Sequence, residues 1–360
     1  MYTEDSICAV DDRAKVLSDK IRMKALELGF AACGFAPLED MPEYAAEIAS
    51  RPDYERMTNP DDPGSLYSNC FPSKYYPQGK SSVSVAFAFN DIDFPENLTE
   101  SIGRCYLARC YTPQKGNINY DRIELLKQYI ESLGIDVYRD LKGPYCIPER
   151  MSAARAGITT YGDNNFARTE ENGTFIILYT ILVDAVLDYD EPTVENPCPE
   201  GCTLCIDACP THAILKPGRL HSKRCILYLN TSGGIAPEEL RGKMGVHIHG
   251  CDVCQMVCPR NAKPLKVPKH KDLFLEEISK RFDLERLLFL DDEYYDEVVY
   301  PVMYNYVPRD KMWYFRRNAA IALGNTGDTS HLPALEKAAR EDENEYVREA
   351  ARWAIGNLQG

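Results

Sequence analysis

The sequence predicts a multidomain protein of mixed α+β/α class, in which an α/β domain is followed by a cysteine-rich segment and then by helical repeats. Three observations predict this order. β-rich apolar runs alternate with amphipathic helical patterns as far as residue 190, eight cysteines lie between residues 198 and 258, and a motif recurs after about 31 residues near the C-terminus. We place the domains at residues 1–190, 191–270 and 271–360.

Length and composition agree with several folded domains. The chain has 360 residues, 44% of them hydrophobic, which is enough for two or three cores. The net charge of −14 argues against a general polyanion-binding surface, so any contact with nucleic acid would be local. The first thirty residues lack the apolar region of an export signal, and no run approaches the roughly 18 apolar residues of a membrane span. We therefore expect a cytoplasmic protein in a reducing compartment, without a membrane partner.

The elements of the first domain follow from hydrophobic periodicity and from helix stop signals. We predict helices over 13–29, 121–133 and 148–157, and strands over 30–35, 81–89, 135–139 and 174–183. Residues 51–80 are rich in Pro, Asp, Asn, Ser and Tyr, which predicts a long ordered loop. Strands that alternate with helices are typical of an α/β domain.

A polar segment, Tyr161-Gly-Asp-Asn-Asn165, follows the third of these helices. Its glycine lets backbone and side-chain amides approach a bulky ligand closely. An ordinary connection between a helix and a strand is the alternative interpretation. The sequence contains no dinucleotide-binding, Walker or zinc-protease motif.

The cysteines form two sets, and a proline follows the last member of each. The first set is Cys198, Cys202, Cys205 and Cys209; the second is Cys225, Cys251, Cys254 and Cys258. Short spacings let a tight loop aim several thiolates at one cube, whereas the cysteine before the proline ligates the neighbouring cube. The spacing therefore predicts two [4Fe–4S] clusters, one held by Cys198, Cys202, Cys205 and Cys258 and the other by Cys209, Cys225, Cys251 and Cys254. A pair of zinc sites is the alternative.

Six cysteines remain without cluster spacing, at positions 8, 33, 70, 105, 110 and 146, and we expect most of them to be buried or surface thiols. Two clusters in one small domain form an electron relay. The acceptor of those electrons must then lie in the domain that precedes them.

The C-terminal repeat consists of Arg317–Asn325 and Arg348–Asn357, with a predicted helix over 331–340 between them. Small residues and a Gly-Asn stop in each unit are typical of HEAT-like helical hairpins. Such hairpins bury their apolar faces only by stacking on a neighbour, so these should pack on the preceding domain or on residues 284–290.

The order of the domains and five local motifs resemble the epoxyqueuosine reductases over almost the whole chain. The motifs are Ala25–Phe30, Pro148–Arg150 with Ala154–Gly157, Cys225–Leu229, Gly250–Asn261 and Arg317–Asn325. Reductive dehalogenases resemble the first two domains but lack the repeats.

The resemblance implies an α/β cobalamin-binding-type domain, a double-cluster ferredoxin-like domain with two [4Fe–4S] clusters, and C-terminal HEAT-like α-repeats. It implies a base-off cobalamin close to one cluster. Electrons from an external donor, flavodoxin or ferredoxin-like, would enter at the outer cube, pass to the inner one and reduce the cobalt. In the family this centre removes the epoxide oxygen of a modified tRNA nucleoside and completes queuosine, so tRNA is the implied partner.

The resemblance also nominates residues of the first domain. Candidates for catalytic roles are Asp140, Glu149 and Tyr161, and candidates for cobalamin binding are Arg150, Gly162, Asn164 and Asn165. Three positions depart from the family pattern. Gly143 stands where an aspartate is usual, Asp163 stands where a lysine is usual, and Cys198 precedes Cys202 by one residue more than is usual.

A second hypothesis belongs to another class: a non-catalytic two-cluster electron-transfer protein that docks a corrinoid or another redox partner. The repeat region from residue 311 onward balances seven basic against seven acidic residues, which removes the electrostatic argument for tRNA there. The basic run is Lys263, Lys266, Lys269, His270 and Lys271, which we interpret as a solvated linker.

Overall fold

A computed structural model describes residues 4–51, 55–62, 64–109, 118–138, 147–193, 196–303, 307 and 309–360, with the backbone alone for 4–11, 55, 56 and 119. The chain divides into two compact units, each built from two stretches. The first is Met1–Phe89 with Thr112–Pro199, and the second is Asn90–Tyr111 with Glu200–Gly360. The second unit thus takes in a segment from inside the predicted first domain. The division at 191–270 and 271–360 stays a prediction.

The strands of the described residues are mostly short. They are β1 (Ala32–Pro37), β2 (Ser81–Ala88), β3 (Ile92–Asp93), β4 (Val137–Tyr138), β5 (Thr160–Tyr161), β6 (Ala167–Arg168), β7 (Ile176–Val183), β8 (Ile214–Lys216), β9 (Arg219–Leu220) and β10 (His270–Lys271).

The helices range from single turns to six turns. They are α1 (Glu4–Glu27), α2 (Pro42–Ala49), α3 (Glu55–Thr58), α4 (Glu96–Ser101), α5 (Arg104–Leu107), α6 (Ile118–Ser132), α7 (Glu149–Arg155), α8 (Leu204–Asp207), α9 (Ile226–Thr231), α10 (Glu238–Arg241), α11 (Val253–Met256), α12 (Leu273–Arg281), α13 (Leu284–Leu288), α14 (Asp292–Tyr294), α15 (Tyr300–Met303), α16 (Trp313–Gly324), α17 (Leu332–Glu341) and α18 (Glu345–Gln359). Within the described part of the chain, no helix is both long and apolar enough to cross a bilayer.

The first unit is built on a four-stranded sheet in the order β1-β2-β7-β4. Every pairing in it is antiparallel. The predicted alternation of helices and strands is therefore present, but the sheet gives this unit an α+β rather than an α/β architecture. Helix α1 also begins nine residues before the predicted start, and the predicted loop over 51–80 contains the short helix α3.

One face of this sheet carries the larger core. Alternate residues of β2, Val83 and Val85, point to the same face and pack with Ile181 of β7. Ile21 of α1 and Ile123 of α6 complete that core, and all five side chains are fully buried. Helices α1 and α6 thus cover this face of the sheet.

The opposite face is lined by small residues, which lets α7 lie close to the strands. Ser84 of β2 and Ser152 of α7 share a hydrogen bond of 3.0 Å. A Cβ at Gly34 would stand 2.1 Å from the carbonyl oxygen of Ala156, so only glycine fits there. This close packing holds the middle and the C-terminal end of α7 against the sheet.

The second unit has one continuous core that joins the repeat helices to the cysteine-rich segment and to residues 98–107. Residues of α13 lie in the same core as α16, which confirms the predicted packing of the repeats. Gly324 lets α16 and α18 cross closely, since a Cβ there would stand 2.7 Å from the Cα of Ala354. The basic run is exposed to solvent as predicted, but it is not an unstructured linker, because β10 pairs with β3 and Lys269 donates to the carbonyl oxygen of Asn90.

Arg317 is the largest fully buried side chain of the described residues. Its guanidinium donates to the carbonyl oxygens of Leu229 (3.1 Å), Asn230 (2.9 Å), Ser232 (2.8 Å) and Gly234. These carbonyls lie at and just beyond the end of α9. The neighbouring Asn318 donates to the carbonyl oxygens of Asn230 and Ile248, at 2.9 Å each. This pair ties the first repeat helix to the segments after Cys225 and before Cys251.

We expect Arg317→Met to lower the free energy of unfolding by about 3 kcal/mol, because several buried carbonyls lose their donor at once. Urea denaturation of the variant, followed by circular dichroism, measures the change. The matched control is Arg352→Met, at an exposed position of α18, which should stay within about 0.5 kcal/mol of the parent protein. Equal effects of the two substitutions would contradict this role of Arg317.

Candidate functional site

Four thiols of the second unit interact electrostatically with one another. Burial, followed by the neighbouring thiols, raises the pKa of Cys254 well above its usual value; those neighbours are Cys251, Cys225 and Cys209. Burial likewise raises the pKa of Cys251 to about 12, with Cys225 and Cys209 again adding to the rise. The structure thus brings together the four cysteines that the spacing assigns to one cluster.

Peptide N–H groups point at these sulfurs. The Sγ of Cys209 accepts from the N–H of Ala213 at 3.2 Å. Cys225 is the N-cap of α9, and N–H groups from the first turn of that helix, those of Leu227 and Tyr228, favour its thiolate. Donors of this kind stabilise the negative charge of a metal-bound thiolate and tune its reduction potential.

The loop that carries Cys251 and Cys254 is held by Asp252 between them. Its carboxylate accepts from the backbone N–H (2.9 Å) and the guanidinium (3.1 Å) of Arg104, and from the side-chain amide of Gln255 (3.0 Å). Arg104 lies in the segment 90–111. This explains why that segment belongs to the same compact unit as the cysteines.

Cys198 lies in the first unit, beside the segment 161–165. Its Sγ accepts from the backbone N–H of Asp163 at 3.3 Å. The Asp163 carboxylate accepts from the side-chain amide of Asn196 at 2.8 Å, and the Asn196 side chain accepts from the N–H of Cys198 at 2.9 Å. Asp163, where the family usually has lysine, therefore closes a ring of hydrogen bonds around one predicted cluster ligand.

The polar segment forms the tip of a hairpin. Strands β5 and β6 pair on either side of it, and Asn165 at the turn has a φ of 68°, in the left-handed region that asparagine tolerates. Arg150, in the first turn of α7, donates to the carbonyl oxygen of Asn165. The side chains of Asp163 and Asn164 are buried. Helix α7 thus holds the turn of the hairpin through Arg150.

Two hydroxyls at the start of this hairpin are buried with no hydrogen-bond partner among the described residues, those of Thr159 and Tyr161. They are two positions apart along an extended chain, so they point to the same face. Burial raises the pKa of Tyr161, against a smaller opposing effect of Arg150, so the phenol stays protonated at neutral pH. A buried donor without a partner in the protein suits a bound ligand with acceptor groups.

The structure brings together several of the residues nominated for the first domain. Arg150, Tyr161 and Asn165 are neighbours, Gly162 and Asn164 lie in the same turn, and Glu149 lies half-buried beside Arg150. Asp140, Gly143 and Cys146 lie outside the described residues.

Sequence reasoning missed Asn196 and Arg104, which hold the loops that carry cysteines. An amide two residues before Cys198 is a weak signal of a local hydrogen bond. Nothing in the sequence indicates that Arg104 meets Asp252, since 148 positions separate them.

Two family models match the second half of the chain. The 4Fe-4S double cluster binding domain matches residues 198–261, and HEAT repeats match residues 293–358. The first match supports the predicted clusters as a class, and the second supports the predicted repeats.

Longer similarities cover most of the chain. The epoxyqueuosine reductase of Bacillus subtilis is 30% identical over 297 residues, 80% of this chain and 74% of that protein. The epoxyqueuosine reductase of Lactococcus garvieae is 27% identical over 96% of this chain and 97% of its own. A crystal structure of epoxyqueuosine reductase with an epoxyqueuosine-modified tRNA-Tyr stem loop superimposes with a TM-score of 0.79 at 26% identity, covering 96% of this chain and 91% of that one.

We expect Cys254→Ser to lower the iron content of the anaerobically reconstituted protein from about eight to about four atoms per chain, because one of two cubes loses a ligand. Iron and acid-labile sulfide assays measure the change. The matched control is Cys33→Ala, which removes a buried thiol of the first unit whose pKa burial raises to about 12. An unchanged iron content in Cys254→Ser, or an equal loss in both variants, would contradict the assignment.

Proposed function

Because the chain belongs to the epoxyqueuosine reductase family, we propose that it removes the epoxide oxygen of epoxyqueuosine in tRNA. The reaction needs two electrons and two protons. The two carbon–oxygen bonds of the epoxide break, a carbon–carbon double bond forms, and the oxygen leaves as water. The observation that carries the proposal is that the similarity runs from the sheet through the cysteine motifs to the repeat helices.

The proposed relay consists of two [4Fe–4S] clusters. One is held by Cys209, Cys225, Cys251 and Cys254, and the other by Cys198, Cys202, Cys205 and Cys258. The effect of the neighbouring thiols on the pKa of Cys251 and of Cys254 supports the first set. The hydrogen bond from the backbone N–H of Asp163 to the Sγ of Cys198 supports a role of Cys198 as a thiolate ligand.

The polar hairpin suits a cobalamin, whose rim carries many amide groups. Unpartnered hydroxyls of Thr159 and Tyr161 supply donors, and Asn164 and Asn165 supply amides that both donate and accept. When bound there, cobalamin supplies the strongly reducing metal centre that attack on an epoxide requires. Arg150 holds the hairpin in place through Asn165. A Cβ at Gly162 would stand 3.1 Å from the side-chain oxygen of Asn164, so glycine leaves that amide its room.

The two protons of the reaction come, in this proposal, from carboxyl groups between residues 140 and 149. Tyr161 keeps its proton at neutral pH, so its role is to donate a hydrogen bond rather than to release a proton. Asp140 and Glu149 are the carboxyl groups proposed for proton transfer. Glu149 lies in the first turn of α7 beside Arg150.

Single-turnover conversion tests the proposed function. The anaerobically reconstituted protein, loaded with cobalamin and reduced by photoreduced deazariboflavin, is mixed with a tRNA stem loop that carries epoxyqueuosine. Mass spectrometry of the digested RNA should then detect queuosine. Recovery of unchanged epoxyqueuosine from a protein with full cluster and cobalamin content would contradict the proposal.

Tyr161→Phe should weaken cobalamin binding about five- to tenfold, through the loss of one buried donor, and leave the free energy of unfolding unchanged. Titration of the visible spectrum with cobalamin gives the affinity, and urea denaturation gives the stability. Tyr76→Phe is the matched control. Its hydroxyl donates to the carbonyl oxygen (3.0 Å) and the carboxylate (2.9 Å) of Asp136, so this variant should lose about 1 kcal/mol of stability and bind cobalamin normally. Normal cobalamin binding by Tyr161→Phe, together with a loss of stability in that variant, would exclude a ligand contact of Tyr161.

A further inference from the structure

A basic segment interrupts this acidic protein next to the second cysteine set. The chain carries 55 acidic residues, yet none lies between Asp207 and Glu238. Four basic residues occupy that interval: Lys216, Arg219, Lys223 and Arg224. The segment therefore has a charge opposite to that of the protein as a whole.

The part of this segment that carries the four basic residues contains a β-hairpin and lies between two of the four interacting cysteines. We call residues 210–224 the basic hairpin. Its strand β8 begins just after Ala213, whose N–H donates to Cys209, and a single turn after β9 leads to Cys225. Arg224 donates to the carbonyl oxygen of Thr211 at 2.9 Å, which closes the base of the hairpin. Both ends of the basic hairpin are thus fixed at the same group of thiols.

Apolar side chains are exposed on and beside the basic hairpin. Leu215 on β8 is 60% exposed, Leu204 on α8 is 50% exposed, and Tyr228 on α9 is 40% exposed. Helix α8 packs against β8, and α9 follows the hairpin directly. An apolar centre with a charged rim is the usual composition of a protein–protein interface.

We propose that the basic hairpin and these apolar residues dock a small acidic one-electron carrier protein, which reduces the cluster of Cys209, Cys225, Cys251 and Cys254. The inference rests on the proposed function for the presence of that cluster. In the docked complex the carrier loses one electron and the oxidised cluster gains it. Positive charge on an otherwise negative protein steers an acidic partner to this hairpin, whose two ends lie at Cys209 and Cys225.

The exposed apolar residues favour a protein over an RNA at this surface. Phosphate contacts need basic side chains and gain nothing from exposed leucine, whereas Leu215 and Leu204 lie among the charges. Leucine burial drives protein association without adding specificity for a polyanion.

The test uses the reconstituted full chain and a reduced flavodoxin of net negative charge. Stopped-flow absorbance follows cluster reduction in the double variant Lys216→Glu/Lys223→Glu. We expect the second-order rate to fall on the order of tenfold at low ionic strength, and its salt dependence to weaken, because the steering charges are reversed. Lys20→Glu/Lys243→Glu, at two exposed positions outside the basic hairpin, makes the same change in net charge, and its cluster should be reduced at the parental rate.

Photoreduced deazariboflavin, a small uncharged reductant, separates this proposal from the proposed function. Both double variants should be reduced by it at the parental rate and should then convert epoxyqueuosine equally well. Equal rates of reduction by flavodoxin in the two double variants would overturn the docking site. Weaker binding of a tRNA stem loop with unchanged flavodoxin kinetics would also overturn it, and would assign the basic hairpin to RNA.

Discussion

Four half-buried cysteine side chains, whose thiols interact electrostatically, impose the main constraint on the second unit. Burial raises the pKa of Cys225, Cys251 and Cys254, and neighbouring thiols add to the rise at each of these three. Thiolates at such a site need a positive centre, and cluster iron supplies one. The surrounding chain adds hydrogen-bond donors and a fixed loop. The donors are N–H groups from the first turn of α9, and the loop is the one around Asp252, which Arg104 holds.

The repeat helices also hold the segments that carry these cysteines. Arg317, with no exposed surface, gathers the carbonyl groups at the end of α9, and Asn318 holds the carbonyl of Ile248, three residues before Cys251. The repeats therefore support the loops that carry the cysteines, in addition to any surface that they offer to tRNA. In the first unit, a ring of hydrogen bonds formed by Asp163, Asn196 and Cys198 holds the chain around Cys198 in the same way.

Local signals in the sequence predicted much of this arrangement. Cysteine spacing gave the four thiols that interact, and periodicity gave α16 and α18, because both depend on near neighbours in the chain. The Gly-Asn stop was right for α16 and wrong for α18, which continues to Gln359. The antiparallel sheet was not predicted, since the continuous apolar run of β7 is equally compatible with a buried parallel strand. The placement of 90–111 and the partners of Arg104 and Arg317 depend on contacts between residues far apart in sequence, for which one sequence holds no local signal. Tyr161 was nominated by resemblance, and its buried unpartnered hydroxyl gives the nomination a physical basis.

Mössbauer spectroscopy of the anaerobically reconstituted full chain tests the central claim most directly, because it reports the type of every iron site at once. The account predicts that all bound iron lies in two cubane clusters per chain, and that both accept an electron when the protein is reduced. Iron found as single thiolate-bound ions, or in one cluster per chain, would contradict a two-cluster relay built from these eight cysteines.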